Sequence, residues 1–81
     1  MTFEKIKQVV DEWDPIGLLA MGAPENEYYF EVKELFDKLN NNFNVSDVSE
    51  IIYDIFIKRF GRDTFTESLD KCKEISNLIL E

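Results

Sequence analysis

The 81-residue chain contains no histidine, one cysteine, two prolines and three glycines. Without histidine it has neither the usual general base at neutral pH nor the commonest transition-metal ligand. Ser-His and Cys-His nucleophiles are therefore excluded within the chain. The lone Cys72 excludes a Cys-x-x-Cys site, and the glycines form neither a dinucleotide fingerprint nor a phosphate loop. We expect a non-enzymatic protein without a cofactor or a metal.

Basic residues are also few, because 9 Lys and Arg stand against 17 Asp and Glu and give a net charge of −8. This balance disfavours binding to nucleic acid or to an anionic membrane surface. Residues 1–31 hold seven acidic side chains and two lysines, so the N-terminal third is the most acidic part. A basic protein partner would be attracted to that end of the molecule.

Long apolar runs are absent from the sequence, which predicts no membrane-spanning segment. The first residues lack the apolar stretch and cleavage site of a signal peptide. A small secreted domain usually needs disulfides, which a chain whose only cysteine is Cys72 cannot form internally. We therefore expect a cytoplasmic protein that folds as a single domain over residues 1–81.

Apolar residues recur at helical spacing along the first half of the chain. A first helix is predicted from about Thr2, as its cap, to Trp13. Asp14 before Pro15 is typical of a new helix start and predicts a short helical turn over 15–21, which ends at Gly22 and Pro24. A second helix should begin at Glu25 or Glu27 and end at Leu39, before the asparagines at 40–42. Its predicted buried face consists of Tyr28, Val32, Leu35, Phe36 and Leu39.

Two further helices are predicted in the second half. Ser46 should cap the third, and Gly61 should end it. Its apolar stripe consists of Val48, Ile51, Ile52, Ile55, Phe56 and Phe60. Residues 51–57 are also rich in strand-forming side chains, but the helical spacing favours a helix. Thr64 and Glu67 form a predicted capping box for the fourth helix, with Leu69, Cys72, Ile75 or Ser76, and Ile79 facing inward and Cys72 as an inert buried thiol. The predicted fold is an all-α bundle of four main helices.

Both prolines, two of the three glycines and the only tryptophan lie within 13–28. Trp13 is interpreted as a core anchor and Asp14 as a helix cap. Acidic residues at the start of the second helix suit its dipole. Tyr28 and Tyr29 point about 100° apart on a helix, so one of them should face solvent.

The segments Trp13–Gly17 and Pro24–Tyr28, with Glu31 downstream, resemble the YugE-like family of small bacterial proteins. The resemblance implies a compact helical bundle of unknown function, and it extends over nearly the whole chain. The family usually has Asp-Glu-Tyr-Asp where this chain has Asn-Glu-Tyr-Tyr at 26–29. The exchange removes two carboxylates, which counts against a metal site and in favour of structure or recognition.

The leading functional hypothesis is a protein-interaction module, of an immunity or inhibitor type, that binds a basic partner through its acidic and aromatic N-terminal end. The predicted binding residues are Trp13, Asp14, Glu25, Glu27, Tyr28 and Glu31. The first alternative is a carboxylate-based divalent-metal binder or hydrolase that uses Asp14, Glu25, Glu27 and Glu31. The second is a self-associating structural module, based on the wide apolar arc of the third helix with Tyr53 and Ile57. A monomer or a weak homodimer is expected.

Overall fold

The computed structural model describes residues 2–24, 26–39 and 43–81. It has four α-helices: α1 Phe3–Trp13, α2 Tyr29–Lys38, α3 Val45–Phe60 and α4 Leu69–Leu80. The all-α prediction is confirmed, and the ambiguous segment 51–57 lies inside α3. None of these helices is long and apolar enough to cross a membrane within the described part of the chain.

The helices form a closed ring in chain order. The backbones of α1 and α3 each lie close to those of α2 and α4, whereas no Cα atom of α2 lies within 8 Å of a Cα atom of α4. α2 and α4 therefore lie on opposite sides of the bundle. The core lies inside the ring. It contains buried apolar side chains from all four helices and the ring of Phe65 from the α3–α4 connection. Cys72 is buried there, as predicted, and burial raises the pKa of its thiol to about 12.

Helix ends agree with the sequence at some positions and differ at others. Thr2 caps α1 by accepting a hydrogen bond from the Lys5 backbone N–H, and Gly61 ends α3 in a left-handed conformation, both as predicted. The prediction of Ser46 as the cap of α3 is wrong, because Asn44 caps it in a reciprocal pair with Asp47.

The predicted capping box of α4 is also wrong. Phe65 is buried in the core, so its neighbours Thr64 and Glu67 do not begin the helix. Ser68 caps α4 instead and accepts a hydrogen bond from the Lys71 backbone N–H at 3.1 Å. Burial of one aromatic ring in the connection thus delays the helix start by one turn.

Two residues that were predicted to face inward are exposed. Phe36 of α2 is 41% exposed and Leu69 of α4 is 38% exposed. α2 also begins later than predicted, at Tyr29, so residues 26–28 form turns before it. Glu25 and the asparagines at 40–42, which were predicted to flank this helix, lie outside the described residues.

Candidate functional site

The connection between α1 and α2 is closed by Asp14 and Tyr28. Residues 15–22 form hydrogen-bonded turns, and a regular helix does not develop there, although the Met21 N–H donates to the Gly17 carbonyl as it would in an α-helix. Asp14 has a left-handed backbone conformation (φ 47°) and ends α1 by donating its N–H to the Val10 carbonyl. The prediction that Asp14 starts a new helix is therefore wrong.

The Asp14 carboxylate is the acceptor at the centre of this connection. It accepts hydrogen bonds from the Tyr28 hydroxyl at 2.6 Å and from the N–H groups of Leu19 and Ala20 at 3.1 and 2.9 Å. The Tyr28 oxygen also accepts from the Ile16 N–H at 3.1 Å. Burial raises the pKa of Asp14, but these hydrogen bonds outweigh it and leave the pKa below its usual value. Burial and the bond to Asp14 raise the pKa of Tyr28 to about 12.

Trp13 packs on the core beside this connection. Its ring meets Phe56 and Phe65 edge-on, with centroid distances of 5.5 and 6.0 Å. These are favourable aromatic geometries. Its indole N–H is buried and has no hydrogen-bond partner among the described residues. Trp13 is thus a core anchor, as the sequence suggested.

Glu31 lies on the side of α2 that faces α3. It is only 6% exposed, and its Oε2 lies 3.5 Å from Arg59 Nε. Arg59 bonds more closely to Glu34, with Nη2 at 2.9 Å from Oε1. The second Glu31 oxygen, Oε1, is buried without a hydrogen-bond partner in the described residues. Burial raises the pKa of Glu31, although the charge of Arg59 opposes that effect.

Replacing Glu31 with glutamine should raise the melting temperature at pH 7 by up to about 4 °C. Because its pKa is raised in the fold, the charged form present at pH 7 is the form that the fold disfavours. The two proteins should converge at acidic pH, where Glu31 is protonated. Calorimetry from pH 3 to pH 7 measures this difference.

Glu34→Gln is the matched control on the same helix. Hydrogen bonds from Lys38 and Arg59 lower the pKa of Glu34, so the charged form stabilises the fold at pH 7 and this substitution should lower the melting temperature. Equal losses from both substitutions would contradict the assignment of Glu31 as a poorly compensated buried charge.

Most of the side chains that were predicted to bind a partner are engaged within the fold. Tyr28 is completely buried and Glu31 nearly so, so neither offers a side chain to a partner. The Asp14 carboxylate is engaged by the turns, and Trp13 packs on the core. Glu27 alone is exposed among the predicted residues in the described part of the chain.

Two of the carboxylates that were predicted to bind a metal ion already have partners within the fold. Hydrogen-bond donors and Tyr28 engage the Asp14 carboxylate, and Arg59 pairs with Glu31. Over 2–24, 26–39 and 43–81, no group of three or more acidic or cysteine side chains is placed to hold a metal ion. Tyr53 and Ile57, proposed for self-association, are partly buried against the core.

An aromatic patch that was not predicted from the sequence lies on the outer face of α2 and the start of α1. It consists of Phe3, Tyr29, Phe30 and Phe36. Phe30 is 65% exposed, and Tyr29 is 41% exposed like Phe36. Their rings form a connected series, with centroids 5.6 Å apart for Tyr29 and Phe30 and 5.8 Å apart for Phe3 and each of its two neighbours, Tyr29 and Phe36.

A shallow groove of about 260 Å³ adjoins this patch. Its lining residues are Phe30, Lys33, Glu34, Asp37, Lys38 and Arg59. Oppositely charged side chains pair along it: Lys33 lies 3.4 Å from Asp37, and Lys38 lies 2.9 Å from Glu34. The patch and the groove share Phe30 and are therefore adjacent, and the five charged side chains of the groove form a charged rim beside the rings.

The sequence did contain a signal for this patch. Tyr29 and Phe36 are seven residues apart and therefore share a helix face, while Val32, Leu35 and Leu39 define a different, buried face. A helix with two apolar stripes can bury only one of them against a single neighbouring layer. Assigning Phe36 to the core concealed the second stripe.

Comparison with known proteins finds no protein-family model, no curated protein and no solved structure that matches the chain. The resemblance to the YugE-like family therefore stays a prediction.

Proposed function

We propose that this protein is a non-enzymatic interaction module that binds a protein partner through the aromatic patch. The observation that carries the proposal is a connected series of rings, in which the exposed Tyr29, Phe30 and Phe36 are joined by the partly buried Phe3. Rings that could fill a core lie instead on the surface, where their hydration costs free energy unless another surface covers them.

The size of the patch supports a functional reading. The exposed parts of Tyr29, Phe30 and Phe36 amount to about 300 Å² of largely apolar surface, taking about 200 Å² for each whole side chain. The largest apolar patch on a typical monomer is about 300–600 Å² and is often functional. Aromatic residues are also enriched in protein interfaces and among the residues that dominate binding energy.

Chemistry supports binding over catalysis. The chain has no histidine, and the carboxylates with shifted pKa values, Asp14, Glu31 and Glu34, each have a partner within the fold. The buried Cys72 thiol suits a reducing compartment, which supports a cytoplasmic location. The basic partner predicted from the charge balance would now have to contact Glu27 and its surroundings, away from most of the residues first assigned to it.

Photo-crosslinking inside cells tests the proposal. A photoreactive phenylalanine analogue at position 30 should give discrete crosslinked products, because that ring lies in the predicted interface. The same analogue at position 78 is the matched control, since Leu78 is 46% exposed on α4 at the opposite side of the bundle.

The products from position 30 should disappear when Tyr29 and Phe36 are replaced with serine, which removes the neighbouring rings. A third probe at position 27 detects a basic partner at the acidic end. No product from position 30, or the same products from positions 30 and 78, would refute the aromatic patch as a binding surface.

A further inference from the structure

We infer that the occupant of the aromatic patch is a second copy of this chain, related by a two-fold axis that passes through the outer face of α2. The inference rests on the proposed function and specifies its partner. A two-fold interface brings the same surface of both copies together, so that surface must be complementary to itself. The charges around the patch meet this requirement.

The rim of the patch is nearly neutral. Three cationic side chains, Lys33, Lys38 and Arg59, lie there with two carboxylates, Glu34 and Asp37, so the rim carries a charge of only +1. Two copies can therefore approach there with little repulsion between the rims, and cations of one copy can pair with carboxylates of the other.

The rest of the molecule is more acidic. The chain as a whole carries −8, so two copies repel each other in most orientations. α3, for example, presents Asp47, Glu50 and Asp54 to solvent. The nearly neutral surface of α2 is also where the exposed rings lie, so the electrostatic and apolar contributions favour the same face for self-association.

The two-fold axis places the two α2 helices antiparallel. Tyr29 and Phe30 near the start of one helix then face Phe36 and Asp37 near the end of the other. Aromatic rings meet aromatic rings at both ends of the contact, and the helix dipoles oppose each other favourably. An apolar area of about 300 Å² per copy is below the roughly 800 Å² per partner of a standard interface. The dimer should therefore be weak.

Sedimentation equilibrium of the purified protein over a wide concentration range tests this inference. The apparent mass should rise from 9.6 kDa toward twice that value, with a dissociation constant in the micromolar range or weaker. Tyr29→Ala with Phe30→Ala should weaken the dimer at least tenfold, because both rings leave the interface. Leu78→Ala on the opposite helix should leave it unchanged, and circular dichroism checks that each variant is folded.

Charge-reversal substitutions distinguish the effect of a charge on this face from the effect of the net charge of the protein. Lys33→Glu and Lys73→Glu change the net charge equally, but Lys33 lies on the rim and Lys73 is exposed on α4. Lys33→Glu should weaken the dimer several-fold at low salt, with partial recovery at high salt, because each rim becomes negative. Lys73→Glu should have little effect. Equal weakening by both would overturn the assignment of this face.

The results also separate this inference from the proposed function. A protein that remains monomeric at every concentration, but gives crosslinks from position 30 to a different protein, overturns the second copy as occupant and leaves the interaction module standing. Absence of crosslinks from position 30 in cells overturns the interaction module, whether or not the purified chain dimerises.

Discussion

Replacing Phe56 with alanine should lower the free energy of unfolding by about 3–5 kcal/mol, the usual cost of removing a large buried ring. Phe56 is almost completely buried, and its ring lies 5.3 Å from Phe65, 5.5 Å from Trp13 and 6.2 Å from Tyr28, measured between centroids. The substitution leaves a cavity where α3, the α1–α2 connection and the α3–α4 connection meet. Because a domain of this size has a total stability of only about 4–12 kcal/mol, much of the variant should be unfolded at 37 °C.

Urea unfolding followed by Trp13 fluorescence measures this effect, since the indole packs directly on Phe56. Phe30→Ala is the matched control: it removes the same atoms from a side chain that is 65% exposed. Its expected effect is below about 0.5 kcal/mol. The measurement belongs at low protein concentration, where self-association through Phe30 does not contribute. Similar losses from the two substitutions would contradict the placement of Phe56 at the centre of the core.

The second large effect is expected at Asp14. Asp14→Ala should cost about 2–3 kcal/mol, because it leaves the Tyr28 hydroxyl and the N–H groups of Leu19 and Ala20 without their acceptor. Alanine is also less suited than aspartate to the left-handed backbone at this position. Chemical unfolding measures the loss, and hydrogen exchange of the Leu19 and Ala20 amides should accelerate most.

Asp14→Asn distinguishes hydrogen bonding from charge. Asparagine tolerates the same backbone conformation and keeps one accepting oxygen, so it should lose less stability than alanine. An equal loss from both variants would mean that the carboxylate charge, and not its hydrogen-bond geometry, holds the connection.

The stability of the wild-type protein should also depend on pH through this pair. The pKa of Asp14 is lowered in the fold, so its contribution is complete above the ordinary carboxyl pKa of about 3.9 and is lost as pH falls below it. The pKa of Tyr28 is raised to about 12. The contribution of its neutral hydroxyl is therefore complete below about pH 10 and is lost as pH rises toward the folded pKa. Asp14→Asn should show less acid dependence, and Tyr28→Phe less alkaline dependence, in unfolding measured against pH.

The Trp13–Gly17 segment therefore has a structural role in the connection between α1 and α2. The residues of this segment are unusual for the chain, and several of them were predicted to form a binding surface. In the structure the unusual residues close a chain reversal: Asp14 ends α1 and orders the turns after it, while Tyr28 ties the start of α2 to the same carboxylate. Rare residue types marked a demanding backbone geometry and not an exposed site.

The candidate site was harder to predict than the fold. Its four rings were visible in the sequence, and Tyr29 was recognised as a candidate for exposure because it follows Tyr28 directly. Phe36 was assigned to the core, however, because it also fits the spacing of Val32 and Leu35. Its actual exposure depends on how α2 is rotated against α1 and α3, and that rotation involves residues distant in sequence.

The sequence by itself determined four helices and most of their core positions, because the 3.6-residue repeat and signals such as Thr2 and Gly61 act within a few residues of chain. Three features were decided only by the tertiary structure. They are the residue that caps α4, the hydrogen-bond donors of the Asp14 carboxylate and the apolar stripe of α2 that faces water. Each of these outcomes depends on competition for space and hydrogen-bond partners among segments far apart in the chain. Burial of Phe65 moved the start of α4 to Ser68, and burial of Tyr28 brought its hydroxyl to Asp14. Local periodicity carries no information about such contacts.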